Sequence, residues 1–336
     1  MATPTRRRAL QLLGGTAAFP LVAPALANSK IRVGALRFTS HAASFVALER
    51  GYFADVGLDV EFKFFQAAQP MAIAVAAGSV DFAVTAITGG LISLAEKGAA
   101  KVVGGALSEE RGIDGQKILA SNAAFEAGLT APANLDGKVF AVTQTGSSFH
   151  YMGAKIANAE AISFSFKPLQ KVGAIIGAIK SGQVDAWCIV PHIAKALTAG
   201  GSAHVIGDVA DYIPNYQVTT VFTSAMTAEK EREKTKAFLA AFSKGAADFN
   251  AALVDKIAGE AAAEDMVRLI HKYVYASRPF EKARNSIKNG AMRINSDAAL
   301  NMGSIQDQLD WFKKEKLVKE AVTLDTLVDP TYVTIL

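Results

Sequence analysis

Residues 58–85 and 162–189 carry one pattern twice. The first stretch reads LDVEFKFFQAAQPMAIAVAAGSVDFAVT and the second ISFSFKPLQKVGAIIGAIKSGQVDAWCI. A shift of 104 positions, with no gap, sets Phe62 on Phe166, Gln66 on Gln170, Gly78 on Gly182, Val80 on Val184 and Asp81 on Asp185. Each copy opens with an alternating strand, through Leu58, Val60 and Phe62 in one and Ile162, Phe164 and Phe166 in the other. A helical stretch of small residues follows, then a Gly-x-Val-Asp turn and a short apolar strand. Strand, helix, strand is the sequence form of the parallel βαβ unit. Two such units predict two similar α/β lobes, with a ligand-sized cleft between them.

A chain of 336 residues, 51% of them hydrophobic, is long enough for two cores. Its formal charge is +4, but Arg6, Arg7 and Arg8 supply three of those charges and no acid precedes Glu49, which leaves about +1 from Asn28 onward. No basic stripe of the kind nucleic acid requires is present. Residues 1–27 read as a secretory signal: Arg6-Arg7-Arg8, an apolar run from Leu12 to Ala25, and small residues at Ala25-Leu26-Ala27. The paired arginines resemble a twin-arginine signal, although no aromatic residue follows them. The apolar run is short for a membrane anchor and is broken by Gly14, Gly15, Pro20 and Pro24. Processing near Ala27 and a periplasmic product are expected. Cys188 is the single cysteine, so no intrachain disulfide forms, and its apolar context reads as core.

Further along, alternating elements predict lobe one over 30–118 with a return after about 218, and lobe two over 119–217. Short strand-like crossings are expected near 119–122 and 216–220. Beyond Ala228, Phe238, Leu239, Phe242, Phe249 and Leu253 recur at helical spacing, so helices to the C-terminus should pack on the lobes.

Ligands of open parallel α/β sheets lie beyond the carboxyl ends of strands, where helix N-termini suit anions. The loops at such places supply the candidates Thr39, Ser40 and His41, then Gln66, then Thr85 and Thr88, in lobe one. In lobe two they supply Gly146, Ser147, Ser148, His150 and His192. Thr88 and His192 stand 104 apart, the repeat spacing, and are expected to face one another across the cleft. Ser147 and Ser148 also read as helix caps, and His41 as a structural hydrogen-bonder. Asp81 and Asp185 sit at repeat turns and read as structural.

The run Thr39 to Phe53, TSHAASFVALERGYF, and Gly57-Leu58-Asp59-Val60 resemble the opening of solute-binding proteins of the nitrate, sulfonate, taurine and thiamine-precursor group. Ala77 to Phe82, Leu135 to Val139 and Gly146-Ser147-Ser148 match later signatures of that group. The chain departs from it at Ala67-Ala68, where many relatives carry two glycines, and at Ile189 to His192, where many carry Trp-Glu-Pro. The resemblance implies an α/β fold, the two-lobed periplasmic-binding-protein (type II) clamshell, with mixed, mostly parallel sheets and helices on both faces. It implies a monomeric receptor without cofactor or metal, handing a small organic anion of sulfonate or carboxylate type to an ABC permease and its ATPase. A neutral aromatic or thiamine-precursor solute, and an exported sensor, are the alternatives. A pyrimidine-synthase enzyme of the same group is disfavoured, because its cysteine-rich motif is missing. No hydrolase elbow, Walker loop or His-Glu-x-x-His motif points to catalysis.

Overall fold

The computed structural model describes residues 29–332 and 334–336; the expected export signal lies outside them. Among the described residues, ten strands form two five-stranded sheets. The first holds β1 (Ser29–Ala35), β2 (Leu58–Phe64), β3 (Phe82–Thr85) and β4 (Lys101–Gly105). The second holds β5 (Lys117–Ser121), β6 (Val139–Val142), β7 (Ser165–Pro168), β8 (Ala186–Ile189) and β9 (Ala203–Asp208). The late strand β10 (Thr220–Thr223) returns to the first sheet. The orders are β2-β1-β3-β10-β4 and β7-β6-β8-β5-β9.

These orders are the same arrangement twice. In each sheet a single strand, β10 or β5, runs antiparallel between two neighbours. The residues expected as a crossing near 119–122 are therefore mostly strand β5, inside the second sheet. The chain passes between the sheets earlier, through 106–116, and returns through 209–219. Those two segments pair with each other: Glu109 N donates to Tyr216 O at 2.9 Å and Val218 N to Leu107 O at 2.9 Å. These two crossings, which include a 3-10 turn at Val209–Asp211, form the hinge region between the sheets.

The repeat turns have a common physical basis. Gly78 and Gly182 take φ of +66° and +68°, a region open to glycine at little cost. Three residues on, each aspartate ties its turn to a neighbouring strand. Asp81 Oδ2 accepts from Arg32 N, and Asp185 Oδ2 accepts from Val139 N, both at 2.7 Å. The structural reading of these carboxylates holds. The second copy's strand starts at Ser165 rather than Ile162. The expected helix over Ala42–Ala54 is two pieces, Ala42–Glu49 and Tyr52–Asp55, split at Gly51 with φ +77°.

The C-terminal segment is helical, as its spacing predicts. Helix Arg232–Phe249 buries Phe238, Leu239, Phe242 and Phe249. It lies against helix Ala42–Glu49 so closely that a Cβ on Gly245 would sit 2.1 Å from Ala43 O. Helix Met302–Lys314 reaches the other sheet's side, where Asp307 accepts from Lys155 Nζ at 2.9 Å and pairs with Tyr151 Oη. Cys188 is fully buried in β8, as core.

Candidate functional site

A cavity of about 50 Å³ lies between the two sheets, walled from both and from the hinge. Helices that begin at its wall include Ala42–Glu49, Ala68–Ala76 and Ser148–Glu160. Each presents N–H groups that lack partners within the helix, and a positive dipole end. Ser40 and His41 precede the first, Ala67 and Ala68 open the second, and Ser147 and Ser148 open the third. Among the described residues, no Lys, Arg, Asp or Glu lines this cavity. Any attraction for an anion therefore comes from backbone N–H groups, hydroxyls and amides rather than a guanidinium clamp.

Of the sequence candidates, Ser40, His41, Thr85, Ser147 and Ser148 line the cavity. His41 is almost fully buried, and its Nδ1 accepts from Leu36 N at 3.4 Å. The acceptor role at Nδ1 leaves the ring proton on Nε2. Burial pushes its pKa down to about 3, so the ring is neutral. Ser147 is the N-cap of its helix, its Oγ accepting from His150 N at 3.4 Å. Ser148 is the first residue inside that helix.

The other candidates stand elsewhere. Thr88 caps helix Gly89–Glu96, accepting from Leu91 N at 3.1 Å, and does not meet His192. Thr39 does: its Oγ1 lies 2.9 Å from His192 Nδ1 and 3.1 Å from Gly290 O. His192 is fully buried, and burial, reinforced by His41, lowers its pKa to about 3. His150 turns away from the cavity and packs its ring against Phe166 and Trp311, while its Nδ1 accepts from Gly146 N at 3.1 Å. Gln66 is exposed on the rim.

Gln66 and Gly146 instead take part in closing the cleft through their backbones. Gln66 O accepts from Val172 N at 3.2 Å, and Gly146 O accepts from Gly89 N at 3.0 Å. The side chains of Gln69 and Gln144 pair across the same rim. The lobes are thus held together by these contacts, with Thr39 and His192 forming a further buried link.

Three polar wall residues escaped the sequence reading: Gln116, Thr143 and Thr219. Gln116 and Thr219 come from the hinge segments, which lie outside the repeat and carry no motif. Gln116 is 2% exposed and its Nε2 has no partner among the described residues. Behind it, Glu109 accepts from Gln116 N at 3.0 Å and is itself buried, which pushes its pKa up to about 7.

The family model described as "NMT1/THI5 like" matches residues 38–252. The chain belongs to the NMT1/THI5-like family. No curated protein matches the sequence significantly. Among solved structures, the ligand-binding component of an ABC-type import system from Staphylococcus aureus, with zinc bound, has a TM-score of 0.71 at 14% identity, covering 90% of this chain and 97% of that one. The alkanesulfonate-binding protein SsuA from Xanthomonas axonopodis pv. citri, bound to MOPS, has 0.69 at 17%, covering 92% and 99%. The periplasmic nitrate-binding protein NrtA from Synechocystis PCC 6803 has 0.69 at 15%, covering 88% and 83%. This member of the family therefore has the substrate-binding-protein fold of sulfonate and nitrate importers. Among the described residues no group of three potential metal ligands occurs, and no helix is long and apolar enough to cross a membrane.

Proposed function

We propose that this protein is the extracytoplasmic solute receptor of an ABC importer and that its solute is a small organic oxyanion, a sulfonate or carboxylate. One observation carries the reading: the N-termini of helices Ala42–Glu49, Ala68–Ala76 and Ser148–Glu160, with Ser40, His41, Ser147 and Ser148 beside them, converge on one cavity whose wall, among the described residues, has no acidic side chain. The oxyanion accepts from N–H groups and hydroxyls of both lobes, and Phe38 and Phe149 pack against its apolar part. Binding from both sides stabilises the closed form, which is the differential affinity that closure requires. The closed lobes then dock the permease. Binding suffices for this role, and no chemical step is invoked.

A thermal-shift panel tests the reading. A solute present at a hundred times its Kd adds about 2.7 kcal/mol, enough to raise Tm by several degrees. Small sulfonates or carboxylates should give that shift. If only neutral aromatic solutes do, the oxyanion assignment is wrong. Ser148→Ala should weaken the active solute about tenfold or more, because a hydrogen bond to a charged partner is worth about 1.5–3 kcal/mol. Ser147→Ala should also lower stability by about 1 kcal/mol through the lost cap. Calorimetry showing wild-type affinity in both variants would move the site to Thr85, Gln116 and Thr219.

Export is part of the same proposal, supported by the Arg6–Arg8 and Ala25–Ala27 patterns and by the periplasmic NrtA that shares the fold. N-terminal sequencing of the secreted protein should begin just after Ala27. A product that keeps Leu12–Ala25 in the membrane refutes cleavage.

A further inference from the structure

Three recesses share Phe38 and Val172 in their walls: the inner cavity between the sheets, the groove beside Gln66, and a vestibule of about 170 Å³ between the lobes. Phe38 follows β1 and Val172 begins helix Val172–Ser181, so one gate residue comes from each lobe. The vestibule has an unusual pairing of surfaces. Its floor is apolar, with Ile176, Ile193 and Leu197, while Arg37, Lys180 and Arg278 supply three cations around it.

Among the described residues, none of these three cations is paired with a carboxylate. Two of them are also held in place. The Arg37 guanidinium lies 3.7 Å above the Phe64 ring and donates to Tyr273 O at 3.1 Å. The Arg278 guanidinium lies 4.5 Å from the Tyr275 ring centre. A guanidinium stacked on an aromatic face keeps its edge N–H groups free and oriented, so less freedom is lost when an anion arrives. His192 stands in the same wall, fully buried, with Nε2 unpartnered.

We propose that this vestibule is a second solute site, which holds an organic anion with an apolar body at the cleft mouth before it passes the Phe38–Val172 gate. The proposal rests on the oxyanion reading for the role of the site, but its own test is separate. The probe is 8-anilinonaphthalene-1-sulfonate, an organic anion with an apolar ring system. Calorimetry and fluorescence at neutral pH should show one dye per chain, bound more weakly as salt rises. The Arg37→Gln/Arg278→Gln double variant should bind it about tenfold more weakly or worse. Lys180→Gln, a change at an exposed side chain that leaves the fold intact, should weaken it a few-fold. Ser148→Ala should bind it as wild type does.

Wild-type dye affinity in the double variant and in Lys180→Gln overturns the proposal. So does a dye whose binding is lost in Ser148→Ala, since it then occupies the inner cavity. If the dye depends on Arg37 and Arg278 while no small oxyanion raises Tm, the inner-cavity reading fails and the vestibule stands.

Discussion

Acid should destabilise this protein steeply, with two buried histidines setting the slope. His41 and His192 stay neutral in the fold down to about pH 3, whereas an unfolded histidine takes up its proton near 6.5. Below 6.5 the unfolded chain therefore binds more protons than the folded one. Each histidine then removes about 1.4 kcal/mol of stability per pH unit. Their contribution is complete above 6.5 and is lost progressively as pH falls toward 3. His150, lowered by burial, acts in the same sense.

Glu109 works against them. Its folded pKa is raised to about 7 from 4.5, so stability declines as pH rises between those values. Between 6.5 and 4.5 it offsets one histidine, and below 4.5 the histidines act unopposed. The stability curve should therefore steepen as pH drops through 4.5. Urea unfolding across this range measures it. His41→Asn and His192→Asn should each flatten the acid limb by about one proton. Glu109→Gln should steepen the limb above 4.5. An acid limb that neither histidine substitution changes would show that both side chains are solvated and titrate normally.

Phe238→Ala should cost about 3–5 kcal/mol of stability, the usual range for emptying a buried aromatic site. Phe238 is fully buried, stacks on Phe82 at 4.2 Å with rings 3° from parallel, and lies 5.3 Å from Phe53. The contact with Phe82 adds about 0.5–1.5 kcal/mol beyond the buried area. Phe238 also joins distant parts of the chain, because its helix follows the return crossing while Phe82 belongs to β3. Solute affinity should be unchanged, since neither ring lines the cavity. Ile257→Ala, at a side chain 79% exposed, is the control and should stay within about 0.5 kcal/mol of wild type. Denaturant titration giving Phe238→Ala a cost near that of Ile257→Ala would mean that the C-terminal helix is not part of the lobe-one core.

Much of the site was legible as a set of loops and little of it as a set of contacts. Strand-end position alone put Ser40, His41, Thr85, Ser147 and Ser148 on the candidate list, and the structure brings them to one cavity. The same rule named Thr88 and His150, whose side chains are used in a cap and an aromatic cluster instead. Residues next to each other in a loop point in different directions, and the loop's own sequence does not say which direction meets the other lobe. Equivalence by the repeat misled in the same way. It paired Thr88 with His192 because they are 104 apart, but lobes related by a repeat need not meet at equivalent positions when they close.

The sequence by itself determined the doubled βαβ architecture. Its signals are local: period-two strands, helical runs of small residues, and turns where Gly78 and Gly182 need positive φ and Asp81 and Asp185 tie down the next strand. Tertiary structure alone decided the rest. β5 and β10 each sit antiparallel inside a sheet, and short apolar segments carry no mark of strand direction. Gln116 and Thr219 enter the cavity from hinge segments that belong to neither repeat. Thr39 meets His192, and Arg37 shares a wall with Lys180, only because closing the cleft brings together groups separated by more than a hundred residues. Such juxtapositions are set by how two finished lobes pack, which no local pattern encodes.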